Sequence, residues 1–138
     1  MNNDLRQAKN RLAEDACTCV VVKDDAIYYA RERGVKPLLT WLADGTDLQG
    51  FSAADKVVGK GAAFLYVLLK VRAVYAPVMS EAAIAVLREY GIEMEYDIAV
   101  PAIFNRDRTG FCPMEQAVRD ISQPAEALAA IRQRLTQL

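Results

Sequence analysis

At 138 residues, with 53% apolar and 25% charged side chains, the chain has the size and balance of one folded domain that buries roughly two-thirds of its unfolded surface. Its formal charge of −1, with acids and bases interspersed, gives no electrostatic basis for nucleic acid or an anionic membrane as partner. Histidine is absent, which excludes His-based acid–base catalysis, His-activated nucleophiles and every histidine-containing zinc site.

The start, Met1-Asn2-Asn3-Asp4, is polar and does not read as a secretory signal. Residues 3–14 then read as an amphipathic helix, with Leu5, Ala8 and Leu12 at helical spacing. The β-rich runs Cys17 to Lys23 and Ala26 to Arg31, joined by the turn-forming Asp24-Asp25, predict a hairpin that Gly34 closes. Cys17 and Cys19, two apart on the first strand, are expected on one face as small buried side chains rather than as a metal pair or disulfide. Pro37 suits the first turn of a helix carrying Leu38, Leu39, Trp41 and Leu42, which Asp44-Gly45 stops.

A longer helix is predicted from Ser52 to about residue 70. Ser52 and Asp55 have the spacing of a capping box. Val58, Ala62, Leu65 and Leu69 form one stripe, widened by Val57, Phe64 and Leu68. Gly59 and Gly61 each weaken a helix interior by about 1 kcal/mol relative to Ala, so they point to close approach of another backbone or of a ligand. The Gly-Lys-Gly run lacks the spacing of a phosphate loop. The longest apolar stretch, Gly61 to Leu69, is too short to cross a bilayer, and a cytoplasmic setting is expected.

Val71 to Met79 is a nearly continuous apolar run, the pattern of an inner strand covered on both faces. Ser80-Glu81 opens a helix through Tyr90, with Ala83, Ile84 and Leu87 inward, and Gly91 closes it. Ile92 to Ile98 alternates as an outer strand. Strand, helix and strand make a parallel, right-handed crossover. Pro113 starts a short helix to Ile121, and Ser122 is expected to cap a last one with Ala125, Leu128, Ile131 and Leu135. These elements describe an α/β protein, a three-layer α/β/α sandwich on a mixed sheet. It forms a single domain, 1–138, with a core over about 15–121.

Three segments carry a resemblance. They are Cys19-Val20-Val21-Val22, then Ser52-Ala53-Ala54-Asp55-Lys56-Val57-Val58-Gly59-Lys60, then Asn105-Arg106-Asp107-Arg108-Thr109-Gly110-Phe111-Cys112-Pro113-Met114-Glu115. Over roughly residues 15–120 they resemble the domain-of-unknown-function 1893 family, an uncharacterised bacterial family. The resemblance implies a cytidine-deaminase-like fold and no established activity. Zinc deaminases carry an H-x-E motif at the start of the long helix and P-C-x-x-C after the next strand. The corresponding positions here, Ala54-Asp55-Lys56 and Ala76 to Ser80, offer no zinc ligand set. A zinc-dependent deaminase is therefore not expected, and no metal or cofactor is implied.

Ligands of open α/β sheets collect beyond the carboxyl ends of parallel strands, which here means Pro77 to Glu81 and Pro101 to Glu115. Cys112, just before Pro113, sits where helix amides and dipole favour a thiolate, with Asp107 or Glu115 as proton acceptor. A small residue packed at a helix start is its other reading. Asp55 reads as a helix cap or as an acid beside Lys56; Lys56 and Lys60, four apart, would share one helix face and bind an anion or stay solvated. Asn105, Arg106, Asp107 and Thr109 crowd donors and acceptors into one short loop, either for recognition or for turn-making.

The leading expectation is a cleft between residues 52–60 and 105–115 that binds a small anionic or polar metabolite, with nucleotides and phosphorylated metabolites as candidates. Lys56, Lys60, Asn105, Arg106, Thr109 and Glu115 would bind, and Cys112, Asp107 and Asp55 would serve any metal-independent catalysis. The alternative is a non-catalytic regulatory or protein-interaction domain on a deaminase-like scaffold. A third reading uses the terminal helices and Tyr28/Tyr29 as a homodimer surface.

Overall fold

The computed structural model describes residues 2–32, 34–103 and 112–137. Helix α1 (Asn3–Glu14) is capped by Asn2, whose side chain accepts from the backbone N–H of Asp4 and Leu5. Strands β1 (Cys19–Lys23) and β2 (Ala26–Ala30) form the expected antiparallel hairpin, with Asp24 at φ 52 in its two-residue turn. Helix α2 (Lys36–Asp44) ends on Gly45 at φ 69, the left-handed conformation that glycine adopts without a Cβ penalty.

The predicted helix from Ser52 is the main correction. Residues 52–58 are extended: β3 (Ser52–Asp55) and β4 (Val57–Val58) flank Lys56, and helix α3 (Lys60–Leu69) begins only after Gly59. Ser52 is no cap; it is fully buried in β3, and its Oγ accepts from Asn2 Nδ2 at 2.7 Å. Tertiary context overrides the helix-favouring Ala-Ala pair. Ala53 and Ala54 are fully buried between β1 and the next strand, β5 (Ala73–Ser80), where small side chains let both helical layers approach the sheet.

Helix α4 (Glu81–Glu89) follows, with Ser80 Oγ accepting from Ala83 N, and leads to β6 (Glu93–Val100). Strand β1 lies antiparallel to β3, and β3, β4 and β6 all run parallel to β5. β6 pairs the length of β5 from Ala73 to Ser80. β3 and β4 therefore share its other edge in one register, Ser52 beside Ala73 and Val57 beside Val78. The chain ends with α5 (Pro113–Ala117) and α6 (Pro124–Leu135). Ser122 does not cap α6; Gln123 is at that position without a side-chain bond, and Pro124 supplies the start.

The sheet separates two buried clusters, as a three-layer α/β/α sandwich requires. Leu5, Ala8 and Leu12 of α1 pack with Val20, Val22, Ala54, Ala73 and Tyr75. On the other face α3, buried along most of its length, meets Cys19, Val21, Ala53, Val74 and Ala76, with α2, α4, α5 and α6 around it. Cys17 packs in the first cluster and Cys19 in the second, against the single-face expectation, because Cys17 precedes β1 and escapes its alternation. Buried Leu5, Leu12, Ala127 and Ile131 show that the core extends past 15–121 at both ends. Burial of each of the three large ones, Leu5, Leu12 and Ile131, contributes roughly 1.5–3 kcal/mol. Among the described residues no helix is long and apolar enough to cross a membrane.

Candidate functional site

The parallel strands β4, β5 and β6 deliver their carboxyl ends to the same rim of the sheet, where α3 and α4 begin. A cavity of about 240 Å³ opens there, lined by Lys60, Ser80, Ala82, Pro101 to Ile103, Glu115, Gln116 and Arg119. Chain-distant segments meet in it, as the crossover topology predicts. Of the sequence candidates, Lys60 and Glu115 line it. Asn105, Arg106, Asp107 and Thr109 lie outside the described residues. The N–H of Cys112 donates to the Ile103 carbonyl at 3.0 Å, so the chain returns to the cavity rim at Cys112.

Glu115 is already engaged. Its Oε1 accepts from the N–H of Lys60 at 2.9 Å and its Oε2 from the N–H of Gly61 at 3.2 Å. Helix α3 has Gly59 as N-cap and no capping side chain of its own, so a carboxylate from α5 satisfies two of its orphan amides and meets the positive end of its dipole. Gly59 is needed for space, since a Cβ there would overlap Glu115 Oε1. At Gly61 a Cβ would meet Ile131 Cδ1 and the Met114 carbonyl at ordinary contact distances, so space does not demand a glycine there. Glu115 is thus a cap for α3 and not a proton acceptor held ready for Cys112. The Lys60 ammonium donates to the Arg119 carbonyl at 3.0 Å and lies 5.8 Å from the centre of the Phe64 ring.

Asp55 and Lys56 leave the cleft in opposite directions. Lys56 Nζ reaches the Leu12 carbonyl of α1, at 3.5 Å, on the other face of the sheet from α3. The shared face with Lys60 does not exist because residue 56 interrupts two strand segments and residue 60 starts a helix. Lys56 thus reaches to the α1 side, whereas Cys112 packs on the α3 side. Asp55 is buried under α3, where Tyr66 donates to its Oδ2 at 2.7 Å and Cys19 Sγ lies 3.2 Å from the Tyr66 oxygen. With the Tyr66 proton directed at Asp55, the thiol is the donor to Tyr66. Burial pushes the Asp55 carboxyl up to about 7, against the opposing effect of the Tyr66 hydroxyl and the Val57 and Lys56 amides. Burial, then Asp55, likewise raises the Cys19 thiol well above its ordinary value.

Cys112 does stand at the N-cap of α5, but that helix has only five residues and Cys112 makes no side-chain cap bond. It is half-buried and packs against the core on the α3 side. Among the described residues no group of three or more His, Cys, Asp and Glu side chains could hold a metal. Sequence reasoning reached Ser80 only as part of the Pro77 to Glu81 segment; it missed Gln116 and Arg119 as cavity groups and Tyr66 as the partner of Asp55.

Comparison with known proteins bears on the same elements. The family model described as TM1506, domain of unknown function (DUF1893), matches residues 7–135. The chain belongs to the DUF1893 family. A crystal structure of a DUF1893 family protein (TM1506) from Thermotoga maritima is similar over 100% of this chain and 92% of that one, with 28% identity and a TM-score of 0.86. No functionally curated protein matches this DUF1893 chain.

Proposed function

We propose that this DUF1893 domain binds a small polar metabolite in the cavity at the carboxyl ends of β5 and β6. The observation that carries the reading is the meeting of Lys60, Ser80, Glu115, Gln116 and Arg119, from three separate elements or their flanks, around one hollow with an apolar wall of Ala82, Pro101, Ala102 and Ile103. A few convergent polar groups on an apolar wall are what small-molecule sites use. At about 240 Å³ the hollow is smaller than the usual ligand pocket, which favours a metabolite or one part of a nucleotide over a dinucleotide. The element order α-β-β-α-β-β-α-β-α-β-α-α supports a deaminase-like scaffold, and three free cysteines suit a reducing, cytoplasmic setting.

The test is a thermal-shift panel of nucleosides, nucleotides, sugars and phosphorylated metabolites. At least one class should raise the melting temperature, and Ala82→Trp, which fills the hollow from an exposed helix position, should abolish the rise. A flat response across the panel, or a rise that survives Ala82→Trp, overturns the proposal. The flat response favours a protein-interaction domain on the same scaffold.

A further inference from the structure

Three charged residues line the cavity, Lys60, Glu115 and Arg119. The acid among them is the one whose charge is already spent, because both of its oxygens accept from α3 amides. Lys60 and Arg119 leave the lining with an excess of positive charge. A second feature points the same way. Ser80 is 1% exposed yet lines the cavity. Its Oγ lone pair is taken by the Ala83 amide, at 3.1 Å, while its hydroxyl proton has no acceptor among the described residues. A buried hydroxyl with an unspent proton facing a hollow calls for an acceptor from the ligand. The same residue begins α4, whose first amides and dipole favour negative charge at that place.

We infer that the ligand carries an oxyanion, phosphoryl or carboxylate, seated at the amino end of α4 against the Ser80 hydroxyl and the Arg119 guanidinium, with its uncharged part on Ala102 and Ile103. Lys60 supplies longer-range attraction while it remains on the Arg119 carbonyl. The carboxylate of Glu81, in the first turn of α4 and exposed, opposes the anion from outside the lining. The inference rests on the binding site proposed above and adds the chemistry and orientation of its occupant.

The experiment uses the full chain labelled with ¹⁵N, titrated at constant ionic strength with inorganic phosphate and, separately, with succinate. Saturable shifts of the Ser80, Glu81 and Ala82 amides are expected with at least one of them, and the stronger binder tells whether the oxyanion is phosphoryl or carboxylate. Arg119→Gln should weaken that binding by roughly tenfold, as loss of one charge-assisted bond does. Arg132→Gln, which removes the same charge from exposed α6, should leave it unchanged. No saturable shift with either probe overturns the inference, and so does equal weakening by the two substitutions, which would mean general charge attraction. If neutral sugars or nucleosides move Ala102 and Ile103 while neither anion binds, the cavity remains a binding site and only the oxyanion is refuted.

Discussion

The Glu115 carboxylate lies so close to the α-carbon of Gly59 that no side chain can occupy position 59 without displacing it. A residue on α5 therefore finishes a helix that starts 55 positions earlier in the chain, through its bond to the Lys60 amide.

The pair should behave as one unit in a double-mutant cycle. Removing a helix cap costs about 1 kcal/mol, towards 2 for a charged cap in a partly buried setting, and Glu115→Ala should fall there. Gly59→Ala should cost a similar amount by ejecting the carboxylate. In Glu115→Ala the same Gly59→Ala change should cost little, because the obstacle has gone. Urea denaturation of the four proteins measures this; additive losses would separate the two residues.

Asp55 should make stability depend on pH in an unusual direction. Its folded-state value of about 7 lies above the ordinary carboxylate value of 3.8, so between those limits the folded state holds a proton that the unfolded state has lost. The contribution is complete below about pH 4, declines as pH rises to 7, and is flat above. Asp55→Asn cannot ionise, so relative to the parent it should gain stability between pH 4 and pH 8, by at most ~4 kcal/mol. Parallel denaturation curves for the two proteins at both pH values would refute this.

The three thiols should separate by access. Cys112 is half-buried, whereas Cys17 and Cys19 are buried with thiols raised by burial, so a mild alkylating agent at neutral pH should label Cys112 first and Cys19 last. Peptide mass spectrometry over time reads the order. Labelling of Cys19 at the rate of Cys112 would contradict the packing around Tyr66.

The two lysines should also part company. In the compound panel, any melting-temperature rise should be diminished by Lys60→Ala and kept by Lys56→Ala, because Lys56 reaches α1 on the opposite face. The reverse pattern would move the site to the α1 side.

Much of this architecture could be read from the chain because its signals are local. The apolar run at 71–79, the Ser80 cap and the alternation at 92–98 each announce an element and its neighbours, and their crossover fixes which rim holds the cavity. Residues 52–58 misled because Ala-Ala-Asp is good helix material, and only the partners β1 and β5 make it extended. The true start of α3 did leave a trace. Gly59 offers no capping oxygen and Gly61 no bulk, so a helix opening there needs an acceptor from elsewhere, and Glu115 beside Pro113 supplies it. The Cys19–Tyr66–Asp55 network left none, since its members come from two strands and a helix with no shared spacing. Ser80 could be read only as part of the Pro77 to Glu81 segment, and Arg119 became a site residue only once the end of α5 was placed at the rim where α4 begins.

Among the described residues, one face of this sheet is roofed by the twelve residues of α1. A shortened version beginning after Glu14 would leave Val20, Val22, Ala54 and Tyr75 wet as one broad oily sheet, an invitation to stick to neighbours in the test tube. Supplying the missing segment as a separate peptide should restore solubility, so the first helix can be treated as a detachable lid for probing how the rest assembles.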